Sequence, residues 1–216
     1  MKSGEGGNTV LAQKVPLAQC PQAQSRKAVF LDRDGVISRK APEGDYIKSA
    51  PEFEFLPLAG EALALLTAHG YLVIVVTNQR GIARGLMTET DLKAIHDRMT
   101  AELAAMGARL DAIYHCPHER GTCNCRKPLT GMFEQARADF PGLEFPSAFV
   151  IGDTLVDMEA GSRLGCTNIL IGAPSDRDVL VAQATRAGIE VQFVAGSLYE
   201  AVTGFVLAGP EREVGD

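Results

Sequence analysis

Ala28-Val-Phe-Leu-Asp-Arg-Asp-Gly-Val36 runs through four apolar residues into two carboxylates one residue apart, with a glycine directly behind them. An apolar run this short reads as a strand buried on both faces of a parallel sheet. Open α/β sheets place their ligands at the carboxyl ends of the strands, so Asp32 and Asp34 stand where chemistry is expected. Side chains alternate along a strand, which lets Asp32 and Asp34 lean toward one point while Arg33 points elsewhere. Two converging carboxylates suit a hard cation such as Mg²⁺, or a nucleophile with an acid/base beside it. Alone, the pair fits a solvated loop or a helix N-cap equally well, so the rest of the chain decides.

Outward from this strand, apolar runs alternate with helical patterns: the sign of an α/β fold with a doubly wound parallel sheet. Strands are expected at 28–32, 72–77, 112–115, 148–153 and 168–172, with a weaker one at 191–194. Helices are expected at 59–69, 88–106, 131–140, 155–164 and 197–207. Thr88 followed by Asp91 offers a capping-box start with Asp in place of the usual Glu. Residues 37–57 exceed an ordinary βα loop and read as a small flap beside the site, or as a plain surface excursion. The expected organisation is a flexible leader (1–26), one α/β domain (27–210) and a short tail (211–216), without a large cap domain.

The 216 residues, 46% of them hydrophobic, suffice for one substantial core. A formal charge of −6 argues against a general nucleic-acid-binding face, though not against a local cationic pocket. No run approaches the roughly 18 apolar residues that span a bilayer. The leader lacks the apolar centre of a signal peptide. The expectation is therefore a cytoplasmic monomer with no membrane and no nucleic-acid partner.

Three further strand ends carry polar groups. Thr77-Asn78-Gln79 is followed by a glycine-flanked turn with Arg80 and Arg84, a set able to hydrogen-bond an oxyanion. Gly152-Asp153 brings a carboxylate that can complete a Mg²⁺ site with Asp32. Asp157, one helical turn on, either orients that carboxylate or caps the helix. Between them, Lys127 can set an ammonium near the carboxylates.

The order Asp-x-Asp-Gly-Val, Thr-Asn-Gln, Lys, Gly-Asp-x-x-x-Asp resembles the haloacid dehalogenase superfamily of phosphohydrolases, over about residues 28–172. The cysteines add a second signal. Cys116-Pro-His118 and Cys123-Asn-Cys125 supply three thiolates and one imidazole, the set of a closed tetrahedral Zn²⁺ site. In a reducing compartment such a cluster is more often a metal site than a disulfide pair. Alternation puts His115 on the other side of its strand and leaves it structural. Together with Thr-Asn-Gln-x-Gly-Ile-Ala-Arg-Gly, the cysteine loop (116–125) looks like the D-glycero-D-manno-heptose-1,7-bisphosphate 7-phosphatase subfamily. Histidinol-phosphate phosphatases are close relatives.

The resemblance implies a small phosphorylated sugar as substrate and an aspartyl-phosphate mechanism. Asp32 is then the nucleophile and Asp34 the acid/base. Mg²⁺ sits on Asp32, Asp153 and the backbone carbonyl of Asp34, and Thr77 and Lys127 hold the phosphoryl oxygens. Asn78, Gln79, Arg84 and Arg126 face the substrate, Arg126 a distal phosphate. Zn²⁺ on Cys116, His118, Cys123 and Cys125 is structural. Two positions depart from the subfamily pattern: Thr154 stands where many members carry Lys, and Ser38 where Asn is frequent. The alternatives are a histidinol-phosphate or other sugar-phosphate phosphatase, a polynucleotide 3′-phosphatase, and a non-catalytic zinc-binding module.

Overall fold

Ala28–Leu31 is a strand, β2, with all four residues buried, as its unbroken apolar run requires. The computed structural model describes residues 11–14, 27–42 and 44–209. Around β2 lie β1 (Leu11–Lys14), β3 (Leu72–Asn78), β4 (Ala112–Cys116), β5 (Phe149–Gly152), β6 (Thr167–Ile171) and β7 (Phe193–Ala195). They form one sheet in the order β1-β4-β3-β2-β5-β6-β7, parallel except for β1. The chain leaves β2 toward β3 and β4, then returns to its other side through β5. The strand order thus reverses between β2 and β5, which opens a crevice beyond their carboxyl ends.

The helices are α1 (Ala59–Ala68), α2 (Glu89–Ala105), α3 (Gly131–Asp139), α4 (Leu155–Leu164), α5 (Arg177–Arg186) and α6 (Leu198–Ala201). Strand alternation divides the core. Val29, Leu31, Val73, Val75 and Ile151 share one cluster with Leu63, Ile95 and Leu198 from α1, α2 and α6. Phe30, Ile74, Val76 and Val150 share the other with Phe133 and Met158 from α3 and α4. Phe30 and Phe133 rings lie 4.9 Å apart, tilted at 59°, a favourable aromatic arrangement. The expected capping box begins α2: the Asp91 amide donates to Thr88 Oγ1 at 3.1 Å, and the Thr88 amide donates to Asp91 Oδ2 at 2.8 Å.

Three expectations change. Within the expected leader, Leu11–Lys14 pairs antiparallel with β4 and closes that sheet edge; residues 1–10 and 15–26, with the tail 210–216, lie outside the described residues. Arg177–Arg186 is a helix that the apolar pattern does not reveal, because Ala184 is its one buried residue. Residues 197–207 form a four-residue α-helix, then a wider π-helical turn over Val202–Val206.

Residues 37–57 fold back on themselves. The Arg39 amide donates to Glu54 O and the Leu56 amide to Ile37 O, each at 2.9 Å. This closes the base of a flap whose tip reaches over the crevice. Among the described residues no helix is long and apolar enough to cross a membrane.

Candidate active site

Asp32 follows β2 directly, its amide donating to Ile151 O at 3.0 Å, and Asp153 follows β5 on the other side of the crevice. Asp157 rises from the first turn of α4. One carboxylate oxygen from each of the three lies within 4.8 Å of the others. Lys127 Nζ enters from the loop after the cysteines, 3.0 Å from Asp32 Oδ1, 2.5 Å from Asp157 Oδ1 and 2.7 Å from Val76 O. Burial works against the Lys127 charge, but Asp157 and then Asp32 outweigh it and hold the pKa above the ordinary lysine value.

The cluster remains short of positive charge. The Asp32 carboxyl is raised to about 7: burial is the main cause, Lys127 pulls it down, and Asp157, Asp153 and Asp34 push it up. Asp153 is raised chiefly by burial, against the Lys40 ammonium paired with its Oδ2. Its Oδ1 is buried with no hydrogen-bond partner among the described residues. Unpaired buried carboxylate oxygens are costly, and hard divalent cations satisfy them. The donor set therefore fits Mg²⁺. Gly35 permits the approach: at φ +96° it occupies a conformation closed to most side chains, and a Cβ there would overlap Asp153 Oδ2.

Asp34 lines the same cavity, about 870 Å³ in volume, with Asp32, Thr77, Asn78, Arg126 and Lys127. Ala41, Pro42, Tyr46 and Ile47 of the flap form another wall. The Arg126 guanidinium adds positive charge to the cavity; its Nη1 is buried with no hydrogen-bond partner among the described residues. Asn78 braces the next loop: its Oδ1 accepts from the Lys127 amide at 3.1 Å and its Nδ2 donates to Lys127 O at 3.2 Å.

Two residues read as substrate contacts take other places. Gln79 is buried behind the wall, where Nε2 donates to Asp34 Oδ2 and Thr77 Oγ1, both at 2.9 Å. Arg84 is exposed outside the cavity, its guanidinium 6.0 Å from the Tyr46 ring centre. Asp157 caps α4, Oδ2 accepting from the Thr154 amide and hydroxyl at 3.2 and 2.5 Å, but it does not orient the Asp153 carboxylate: Oδ1 pairs with Lys127 instead. Arg33 and Lys40 escaped the sequence reading. Arg33 reverses its expected direction and folds back onto Asp34.

Cys116, His118, Cys123 and Cys125 converge, their ligand atoms within 4.8 Å of one another. Cys116 Sγ lies 3.6 Å from both His118 Nδ1 and Cys123 Sγ, and His118 Nδ1 lies 3.2 Å from Cys125 Sγ. A tetrahedral Zn²⁺ with thiolates at its usual distance has edges of about 3.7 Å, so the cradle fits. The Cys116 thiol is pushed down to about 5, first by the Cys125 hydrogen bond and against burial, while Cys125 is pushed up. His115 stays out of the cluster and pairs with Glu89 Oε2 at 2.8 Å.

Residues 27–164 match the family model described as polynucleotide kinase 3 phosphatase. A D-glycero-D-manno-heptose-1,7-bisphosphate 7-phosphatase from Chlorobaculum tepidum is 37% identical over 199 residues, 87% of this chain and 98% of that protein. The crystal structure of a D,D-heptose 1,7-bisphosphate phosphatase from B. bronchiseptica, complexed with magnesium and phosphate, superposes with a TM-score of 0.75 at 34% identity, covering 85% of this chain and 99% of that one. A putative HAD-like phosphatase from Mesorhizobium loti gives 0.72 at 26% identity, covering 92% and 95%.

Proposed function

The chain belongs to the heptose-bisphosphate phosphatase family of the haloacid dehalogenase superfamily, and from that premise we propose that it removes the 7-phosphate of D-glycero-D-manno-heptose 1,7-bisphosphate. That it is a phosphatase follows from the family. The observation that supports the substrate is the cationic Arg126 side chain lining the cavity that also holds Asp32 and Lys127. A substrate with one phosphate at Asp32 and a second that reaches the Arg126 guanidinium uses both groups of that cavity.

Asp32 attacks phosphorus in line with the sugar oxygen. As the P–O bond breaks, Asp34 gives its proton to the departing alkoxide, leaving an aspartyl-phosphate on Asp32. Asp34, now a carboxylate, takes a proton from the water that attacks this phosphorus. Inorganic phosphate leaves and the Asp32 carboxylate returns. Thr77 and Lys127 donate to the phosphoryl oxygens, and Asp157 holds the Lys127 ammonium in place. Asp32, Asp153 and the backbone carbonyl of Asp34 would hold Mg²⁺, which neutralises charge between carboxylate and phosphate. Cys116, His118, Cys123 and Cys125 would hold Zn²⁺ as a structural ion, fixing the loop that leads into Arg126 and Lys127. The four described cysteines are free, which suits the reducing cytoplasm.

The family-model description favours one rival, a polynucleotide 3′-phosphatase, against which the −6 charge weighs. Steady-state assays decide the substrate. Both anomers of heptose 1,7-bisphosphate, histidinol phosphate and a 3′-phosphorylated oligonucleotide are compared. The reading expects one heptose anomer to exceed the others in kcat/KM by at least about 100-fold, the scale of a well-placed charged contact. Faster turnover of the oligonucleotide or histidinol phosphate overturns it.

A further inference from the structure

Arg33 is completely buried. Its guanidinium grips the neighbouring carboxylate by two bonds: Nε donates to Asp34 Oδ1 at 3.0 Å and Nη2 to Oδ2 at 2.8 Å. Its Nη1 meets His96 Nε2 on α2 at 3.2 Å. A guanidinium can only donate, so His96 Nε2 must accept and carry no proton. The environment enforces this: burial first, then the Arg33 charge and His115, hold the His96 pKa well below the ordinary imidazole value.

We propose that Arg33 is the positioning residue for Asp34, with neutral His96 as its buttress. The proposal rests on the reading of Asp34 as acid/base. A carboxylate on one methylene turns freely unless both oxygens are held, and the Arg fork matches its plane as no lysine can. The fork also leaves the two oxygens unequal. Oδ2 accepts a second bond, from Gln79 Nε2 at 2.9 Å. Among the described residues Oδ1 has only the Ser38 hydroxyl besides, at 3.2 Å, and that hydroxyl's single hydrogen is shared with Arg33 O at 3.3 Å.

The test compares kcat/KM for an alkyl phosphate, heptose 1,7-bisphosphate, with that for p-nitrophenyl phosphate, whose leaving group needs little protonation. This ratio reports the step in which the acid acts. Arg33→Lys is expected to lose roughly 100-fold on the alkyl ester and under about 10-fold on the aryl ester, the range of a displaced general acid. His96→Leu, which keeps the fork but removes its buttress, is expected to show the same bias at about 10-fold, and His96→Gln to stay near wild type. His96→Leu carries the comparison if Arg33→Lys does not fold. A merely structural role lowers both esters by one factor, and that result overturns the proposal. Asp34→Asn separates the two claims. If it shows the ester bias while the Arg33 and His96 variants do not, the positioning fails alone; if it shows none, the acid assignment fails and the positioning with it.

Discussion

Lys127 Nζ and Asp32 Oδ1 lie 3.0 Å apart although they arrive from different elements, Asp32 from the end of β2 and Lys127 from the loop behind the cysteine cluster. The same ammonium holds Asp157, whose side chain is 3% exposed. Lys127→Met leaves that carboxylate without its cation. Removing one partner of a buried pair costs about 3–5 kcal/mol, and losing one donor to the transition state costs about 10²–10³ in kcat. Both a lower unfolding midpoint and this fall in kcat are expected; a fully stable, active Lys127→Met contradicts the assignment.

Arg126 is expected to act on the distal end of the substrate. Arg126→Ala should cut kcat/KM for the bisphosphate about 10- to 100-fold, the worth of charge-assisted hydrogen bonds. Turnover of a monophosphate bearing only the scissile group should change little. Equal losses on both substrates would place Arg126 in the chemistry instead.

Gly35 separates a backbone requirement from a chemical one. Its φ of +96° and the Asp153 oxygen beside it leave no room for a methyl group. Gly35→Ala should destabilise by about 1–2 kcal/mol from backbone strain and weaken Mg²⁺ binding, measured by titration calorimetry. Unchanged Mg²⁺ affinity would remove Asp153 from the metal site.

The cysteine cluster predicts one zinc per chain by elemental analysis. Structural zinc sites contribute on the order of 10 kcal/mol to the folding of their segments, so Cys116→Ala should lose zinc and melt well below wild type. If the purified protein holds no zinc and a strong chelator leaves its melting curve unchanged, the structural-zinc reading is wrong.

The strand ends were legible because burial on both faces demands an unbroken apolar run, and Asp32, Thr77 and Asp153 each interrupt one abruptly. The convergence of Cys116, His118, Cys123 and Cys125 was legible because donor type and spacing already group them. Arg33 was not: strand alternation sends it away from Asp34, and only tertiary packing against His96 turns the guanidinium back. Gln79 and Arg84 were misplaced for the same reason. Their motif names them, but whether a side chain lines a cavity or lies behind its wall depends on how the turn after β3 packs. β1 and α5 escaped because an edge strand and a helix with one buried residue carry little apolar periodicity.

The central claim is that Asp32 carries the phosphoryl group. Rapid quenching during turnover, followed by borohydride reduction, converts an aspartyl-phosphate to homoserine, and peptide mapping locates it. Homoserine at position 32, absent without substrate and absent in Asp32→Asn, is the result expected. Homoserine at another aspartate, or full Mg²⁺-dependent turnover by Asp32→Asn, would contradict the account.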